Sequence, residues 1–256
     1  MLTARGYRVI RYDNRDVGLS QKFESAGPAD VAKMMTEMAQ GKKPSTAYTL
    51  EDMANDAAGL LDALQIDEAH IVGASLGGAI GQLVAANHPG KTLSFTSIMS
   101  STGNSALPPA KPEAMAVLLS RPQAGDVEAT IEFGVKAYKT IGSPGYPTDE
   151  KEIRRRVAED FKRSNCPAGF SRQMAAALVN GDRRAALKRI KAPTVVIHGT
   201  DDPLVPIEAG RDTAANIAGA ELIEIPGMGH DLPAALYSRI VDAIESVAKR
   251  ARVGAR

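Results

Sequence analysis

A serine, a histidine and a pair of aspartates stand in sequence contexts that favour nucleophilic catalysis. Ser75 lies in "GASLG", His230 lies in "PGMGHDLP", and Asp201 and Asp202 lie in "HGTDDPLVP". A serine hydroxyl is a weak nucleophile at neutral pH, and it needs a base, most often a histidine that a carboxylate holds in place. We therefore expect Ser75 to act as the nucleophile and His230 as its base, with one of the two aspartates orienting the imidazole.

The residues around Ser75 predict a sharp turn between a strand and a helix. The spacing Gly73-x-Ser75-x-Gly77 puts glycines where Cβ atoms would collide in so tight a turn, and the turn pushes the hydroxyl outward. The preceding run "AHIVG" is typical of a buried parallel strand, and the apolar residues that follow Ser75 recur at helical spacing. The alternative interpretation is a glycine-rich turn with an incidental serine.

The four histidines of the chain differ in their surroundings. His70 and His88 are interpreted as structural or surface residues, and His198 lies inside an apolar run, either in the core or beside the site. His230 follows a predicted strand and precedes a predicted helix. This places it at the carboxyl edge of the sheet, where α/β proteins gather their functional groups, and the two aspartates also follow a strand end.

The elements that must position these residues alternate along the chain. Strand-like apolar runs cover residues 7–13, 69–75, 93–100, 194–199 and 221–226. Most of them are separated by helical patterns; Thr49 is predicted to cap one helix, and the last helix is predicted to begin near Pro233. Strands that alternate with helices predict a mostly parallel sheet with helices on both faces.

One interval breaks this alternation, because residues 104–191 contain helical patterns and Pro- and Gly-rich loops but no convincing strand. Such an interval is too long for a plain connection, and it predicts a helical cap inserted before the last strands. We therefore divide the chain into a first part of the core at 1–103, a cap insertion at 104–191 and a second part of the core at 192–256.

Composition excludes several classes of function. The formal net charge is +1, so no global field attracts nucleic acid or an anionic membrane. A single cysteine, Cys166, rules out an intramolecular disulfide and a thiol-rich metal site. No run is long and apolar enough to span a membrane. We expect a cytoplasmic protein that acts on a small molecule, and the sequence does not indicate its oligomeric state.

The motifs together resemble the α/β-hydrolase superfamily. The matching segments are "GYRVIRYDNRDVGLS", "YTLEDMANDAAGLLDALQIDEAHIVGASLGG", "PTVVIHGTDDPLVP" and "IPGMGHDLP", and the order Ser, Asp, His is the one found in that arrangement. Within it, the chain resembles the branch of aclacinomycin methylesterase and related carboxylesterases. The resemblance implies an α/β-hydrolase fold, and it does not cover the cap.

The resemblance also assigns roles to individual residues. The family pattern Gly-x-x-Asp-x-x-Val-Pro falls on residues 199–206 and makes Asp202 the acid, which leaves Asp201 as a neighbour. The nucleophile falls on Ser75, the base on His230, and one oxyanion donor on the backbone N–H of Leu76. The segment Asp16-x-Gly18-x-Ser20 matches a structural turn.

These roles imply a serine hydrolase that cleaves carboxylic esters through an acyl-enzyme, without a metal or a cofactor. Hydrolysis of lactones, thioesters or carbon–carbon bonds, or cofactor-free peroxidation, would use the same three residues. A further alternative is a hydrolase-like scaffold that only binds ligands. The residues of the triad do not distinguish among these reactions.

The start of the sequence raises a separate expectation. In the family, a strand ending in His-Gly precedes the helix that leads into "ARGYRVIRYD", and the loop after that strand donates the second oxyanion N–H. The chain opens at "MLTARG", which resembles the tail of that helix. We therefore expect an N-terminally truncated version in which N-terminal strands are missing. The sheet is then gapped between 7–13 and 69–73, or its first strand is re-paired, which puts the activity of this chain in question.

Overall fold

A parallel sheet of four strands forms the centre of the computed structural model, which describes residues 1–120 and 126–253. The strands are β1 (Ala69–Ala74), β2 (Thr92–Ile98), β3 (Thr194–Gly199) and β4 (Glu221–Ile225). They lie in the order β1-β2-β3-β4, and each is parallel to its neighbours. Their carboxyl ends therefore meet at one edge of the sheet, where functional groups of α/β proteins collect.

Helices fill most of the remaining sequence. The α-helices are α1 (Val31–Ala39), α2 (Leu50–Ala63), α3 (Leu76–Asn87), α4 (Pro112–Leu119), α5 (Val127–Ile141), α6 (Glu150–Arg163), α7 (Pro167–Asn180), α8 (Arg184–Leu187), α9 (Ile207–Ala215) and α10 (Tyr237–Val253). Short 3₁₀ turns lie at Thr3–Arg5, Glu24–Ala26, Pro89–Lys91 and Ala234–Leu236. A 3₁₀ turn thus separates Pro233 from the last α-helix, which begins at Tyr237, later than predicted.

The predicted cap at the start of α2 is confirmed. The Thr49 hydroxyl accepts a hydrogen bond from the Asp52 N–H at 3.2 Å, and the Asp52 carboxylate accepts one from the Thr49 N–H at 2.8 Å. This reciprocal pair satisfies two backbone donors that the first turn of a helix leaves free.

Helices cover both faces of the sheet, as the alternating pattern predicts. On one face, Phe95 of β2 is completely buried against α3 and Leu187 of α8. On the other face, Ile98 of β2 and Ile197 of β3 pack against Ile244 of α10. These two apolar layers fix the sheet between its helices, since burial of apolar surface is the main force that holds such layers together.

The helices α4 to α8 lie between β2 and β3 along the chain. No strand interrupts this interval in residues 99–120 and 126–193, which the structure describes. The interval without strands agrees with the predicted insertion, while the cap boundaries at residues 104 and 191 stay a prediction.

The predicted strand over residues 7–13 is wrong. No hydrogen-bonded ladder joins this segment to the sheet, and β1 is the edge strand of the four that the structure describes. A cleft of 680 Å³, here called the β1 cleft, lies between residues 6–14 and β1. The apolar side chains of this segment led to the prediction. A strand also needs a hydrogen-bonded neighbouring strand at about 4.8 Å, and the β1 cleft separates this segment from β1.

The β1 cleft leaves apolar side chains in contact with solvent. Ile10, Tyr12 and Val72 line it and remain 36%, 43% and 43% exposed. The four described strands form one continuous sheet that ends at β1, so the expected gap within the sheet and the expected re-paired first strand are both absent from residues 1–120 and 126–253. That N-terminal strands are missing stays a prediction.

A buried ion pair fastens the N-terminal segment to α7. The Arg172 guanidinium donates two hydrogen bonds to the Asp16 carboxylate, at 2.6 and 2.7 Å, and the two side chains are 2% and 0% exposed. Tyr48 and the Phe23 N–H donate to the same carboxylate. Burial would raise the pKa of Asp16, but these hydrogen bonds outweigh it and lower the pKa to about 2. These contacts support a scaffolding role for this turn.

We expect Arg172→Met to lower the free energy of unfolding by about 3–5 kcal/mol, because it leaves the Asp16 carboxylate buried without its countercharge. Arg163→Met is the matched control, since Arg163 pairs with Asp13 at 3.0 Å in an exposed position and should contribute less than about 1 kcal/mol. Urea denaturation of the wild type and both variants gives the comparison, and equal losses in the two variants would contradict it.

The same pair predicts a pH dependence of stability. The pKa of Asp16 is lower in the folded protein than in the unfolded chain, where it is about 3.9. The stability that this group contributes is therefore present above about pH 4 and is lost as the pH falls towards 2. In Arg172→Met the loss of stability between pH 4 and pH 2 should be smaller than in the wild type, as measured by urea denaturation at each pH.

We expect the open edge of β1 to promote self-association, because an exposed apolar edge strand is a template for pairing with another chain. Val72→Lys places a charge at this edge and should reduce light scattering on incubation at high protein concentration. Val127→Lys changes a similarly exposed valine, 44% accessible on α5, far from the edge. Equal scattering by both variants would show that the β1 edge is not the surface that associates.

Candidate active site

Ser75 occupies a strained turn between the end of β1 and the start of α3. Its φ of 52° and ψ of −119° are sparsely populated for a residue with a side chain, and such strain commonly marks functional positions. The Ser75 N–H donates to the Ile98 carbonyl at 2.9 Å, which ties the turn to the end of the neighbouring strand. The turn requires a glycine at position 73, because a Cβ there would lie 2.1 Å from the Gly77 carbonyl oxygen.

The expectation that a Cβ would also collide at Gly77 is wrong. A Cβ at this position meets no atom within 4 Å, because Gly77 faces the β1 cleft. Of the two glycines in the Gly-x-Ser-x-Gly spacing, only Gly73 is thus required by close packing in the described residues.

His230 lies in the loop that follows β4, and its ring contacts both other candidate residues. The Nε2 atom is 2.9 Å from the Ser75 Oγ, and the Nδ1 atom is 2.7 Å from the Asp202 Oδ2. The His230 side chain is 7% exposed, and that of Asp202 is fully buried. A carboxylate at Nδ1 accepts the proton of that nitrogen, so the Nε2 lone pair is directed at the serine hydroxyl.

The loop after β3 fixes the carboxylate of Asp202. Its Oδ1 accepts hydrogen bonds from the backbone N–H groups of Leu204 and Val205, at 2.9 and 2.8 Å. The carboxylate of Asp201 points elsewhere: it accepts from the Thr200 hydroxyl at 2.7 Å and from the Gly227 N–H at 2.8 Å. Those two hydrogen bonds lower the pKa of Asp201. The structure therefore brings together Ser75, His230 and Asp202 and leaves Asp201 outside.

Leu76 is the first residue of α3 and directly follows Ser75. The N–H groups of Gly78 and Ala79 donate to the Ser75 carbonyl, at 2.9 and 3.2 Å. The N–H of Leu76 belongs to the first turn of the helix, where backbone donors have no partner within the helix and the helix dipole favours negative charge. The role of oxyanion donor, which the resemblance implies for Leu76, stays a prediction.

His198 lies beside the three residues in the completely buried interior of β3. Its Nε2–H donates to the Val205 carbonyl at 2.8 Å and lies 3.7 Å from the Asp202 carboxylate. Burial lowers the pKa of His198, so the ring is neutral at pH 7. The sequence left open whether His198 lies in the core or beside the site. In the structure it is buried in the core and also lies beside Asp202.

The other two histidines make local contacts away from this site. His70 Nδ1 is 2.8 Å from the Ser94 hydroxyl, and His88 Nε2 is 2.9 Å from the Asn55 side-chain oxygen. Both contacts join neighbouring elements, in agreement with the prediction that these two histidines are structural or surface residues.

A cavity of 460 Å³ opens beside His230 and separates it from the cap helices α5 and α6. Its lining is mainly apolar and aromatic, with Arg156 as its cationic side chain. The lining residues are Met99, Gly134, Ala137, Tyr138, Ile141, Arg156, Val157, His230, Asp231, Leu232 and Tyr237. Cavities of this volume and character bind small organic ligands. The larger β1 cleft contains none of the three candidate side chains.

The described residues contain no cluster of His, Cys, Asp and Glu side chains that could hold a metal ion. None of the helices in residues 1–120 and 126–253 combines the length and the apolar composition that crossing a membrane requires.

Comparison with known proteins places this geometry in a family. A family model described as the alpha/beta hydrolase fold matches residues 2–233. Rhodomycin D methylesterase DauP of Streptomyces sp. (strain C5) is 30% identical over 265 residues, which cover 95% of this chain and 82% of DauP. Rhodomycin D methylesterase DnrP of Streptomyces peucetius is 29% identical with the same coverage of both chains.

Solved structures give the same result. A hydrolase from Pseudomonas aeruginosa PA01 is 27% identical and superposes with a TM-score of 0.63 over 97% of this chain and 81% of its own. The enol-lactonase from Burkholderia xenovorans LB400, at 22% identity, shares the fold with a TM-score of 0.60, covering 93% of this chain and 78% of its own. The chain therefore belongs to the α/β-hydrolase family, in the branch that includes the two rhodomycin D methylesterases.

Proposed function

We propose that the protein hydrolyses carboxylic esters of small molecules through a covalent acyl-enzyme on Ser75. The observation that carries this proposal is the pair of hydrogen bonds made by His230, one to the Ser75 hydroxyl at 2.9 Å and one to the Asp202 carboxylate at 2.7 Å. The methylesterase names of the two Streptomyces relatives support an ester as the substrate. We also propose a cytoplasmic location.

In the first half of the reaction, Ser75 Oγ attacks the ester carbonyl while His230 Nε2 removes its proton. Asp202 holds the ring in the tautomer that leaves Nε2 free and stabilises the imidazolium that forms. The negative charge on the carbonyl oxygen is stabilised by the N–H of Leu76. His230 then gives the proton to the leaving alcohol, and the acyl group remains on Ser75.

In the second half, water takes the place of the alcohol. His230 removes a proton from the water as it attacks the acyl-enzyme, and returns that proton to Ser75 Oγ as the carboxylic acid leaves. Both halves use the same ring, which in each half acts first as a base and then as an acid.

The alternative reactions share these groups and differ in the bond that is attacked. Lactones, thioesters and carbon–carbon bonds, peroxidation, and ligand binding without turnover remain the other outcomes of a substrate screen. Esters are favoured because the methylesterase relatives match 95% of the chain. A screen of purified protein against esters, lactones and thioesters tests the proposal, and absence of ester turnover in the wild type would overturn it.

We expect Ser75→Ala and His230→Ala each to lower kcat/KM for p-nitrophenyl acetate by more than about 10⁴-fold, because each removes a group without which the others cannot act. Asp202→Asn should leave a weak remainder, since the ring then loses its orienting carboxylate. Asp201→Asn is the matched control and should keep most of the activity. A large loss in Asp201→Asn with retention in Asp202→Asn would contradict the assignment of the acid.

The cavity beside His230 predicts a preference for esters with a large apolar group. We expect kcat/KM to rise with chain length in one of two series, p-nitrophenyl esters from acetate to octanoate or acetates of alcohols from methyl to octyl. Ala137→Phe fills the cavity from α5. It should reverse the preference by lowering kcat/KM for the longest ester about tenfold relative to the shortest, which corresponds to the loss of a few buried methylene groups. Ala137→Ser adds little volume and should keep the wild-type preference. The same preference in Ala137→Phe and wild type would show that the large group binds elsewhere.

A further inference from the structure

The loop that carries His230 is hydrogen-bonded to the connector between α5 and α6. The Gly145 N–H donates to the Gly227 carbonyl at 2.9 Å, and the His230 N–H itself donates to the Ile141 carbonyl at 2.7 Å. The connector belongs to the helical insertion, whereas the loop belongs to the core after β4. The backbone of His230 is thus anchored to the cap as well as to its own strand.

The two backbones approach too closely for side chains to lie between them. A Cβ at Gly229 would lie 2.4 Å from the Gly142 carbonyl oxygen, and a Cβ at Gly145 would lie 2.9 Å from the Gly227 Cα. Cβ atoms do not tolerate such distances, so glycines on both segments are required for this contact. The close approach leaves little room for the loop to shift against the connector.

The side chains of Ser143 and Asp231 also take part in the contact between the loop and the connector. The Ser143 hydroxyl donates its proton to the Asp231 carboxylate and accepts a hydrogen bond from the Gly229 N–H at 2.9 Å. Ser143 is 5% exposed and Asp231 is 8% exposed. Asp231 directly follows His230, and both side chains line the cavity against α5 and α6.

The Asp231 carboxylate is buried without a lysine or arginine partner among the ion pairs of the described residues. Burial raises the pKa of Asp231, while hydrogen bonds from Ser143 and the charge of a protonated His230 act in the opposite direction. A buried carboxylate is unfavourable unless hydrogen bonds or an opposite charge stabilise it. The Ser143 hydroxyl supplies such a hydrogen bond to the Asp231 carboxylate.

We propose that Ser143 and Asp231 are positioning residues for His230: their hydrogen bonds hold the loop of His230 against the connector between α5 and α6. This inference rests on the proposed function of His230 as the base. The Ser143 hydroxyl accepts from the loop backbone at Gly229 and donates to the Asp231 carboxylate, so both residues act through the position of the loop.

Both contacts of the His230 ring depend on where its loop lies. Asp202 Oδ2 is 2.7 Å from Nδ1 and Ser75 Oγ is 2.9 Å from Nε2. A shift of the loop away from the connector would therefore lengthen one or both distances, and the alignment of serine, ring and carboxylate would be lost.

The first experiment compares Asp231→Ala with Asp231→Asn in the active protein. Asp231→Ala removes the acceptor of the Ser143 hydroxyl and should lower kcat for p-nitrophenyl acetate about tenfold, because the loop is less well held. Asp231→Asn keeps an oxygen that can accept this hydrogen bond and should retain most of the wild-type kcat. A folded Asp231→Ala variant with wild-type kcat would overturn the role of Asp231, whereas absence of turnover in the wild type would overturn the proposed ester hydrolysis instead.

The second experiment tests the tether with the active protein. Ser143→Ala should lower kcat for p-nitrophenyl acetate about tenfold with a less than twofold change in KM, because the base is less well held while the cavity is intact. Thr140→Ala, which removes a hydroxyl bound only to the Lys136 carbonyl on α5, should change neither. Thermal melting of each variant identifies those that fail to fold. A folded Ser143→Ala variant with wild-type kcat would overturn the positioning role of Ser143.

Discussion

The candidate site depends on one imidazole ring that makes two hydrogen bonds to residues far away along the chain. Ser75 lies 155 positions before His230 and Asp202 lies 28 positions before it, so neither contact can form until the sheet has assembled. The carboxylate orients the ring only because two backbone N–H groups hold it in turn. A group held in this way loses little further freedom during the reaction, which is the physical basis of its advantage over free imidazole in water.

The parallel sheet brings the ends of its strands to one edge, and the loops at that edge fix the positions of the candidate side chains. Ser75 directly follows β1, and Asp202 and His230 follow β3 and β4, so the ends of three separate strands bring one group each to the same edge of the sheet. The strained backbone of Ser75 persists because β2 and α3 hold both of its ends. The cap contributes as well, since its α5–α6 connector touches the loop of His230. The loop of the proposed base is therefore held by the insertion as well as by the sheet.

Local patterns predicted most of these elements, because a helix cap or a strand–turn–helix motif is encoded within a few residues. The choice of Asp202 over Asp201 came from a family pattern, since neighbouring carboxylates differ only in which backbone donors they meet after folding. The strand expected at 7–13 was wrong for a similar reason: apolar alternation favours an extended chain, but a strand exists only if another strand pairs with it. Ser143 had no recognisable motif, because its role depends on a contact between distant segments.

The central claim is that Ser75 is a nucleophile activated by His230, and covalent labelling tests it most directly. Incubation of the protein with a fluorophosphonate, followed by mass spectrometry of its peptides, should find one phosphonyl group per chain, attached to Ser75. Labelling should be slowed strongly in His230→Ala, where no base removes the hydroxyl proton. A label on another residue, or equal labelling rates in the wild type and His230→Ala, would contradict the account.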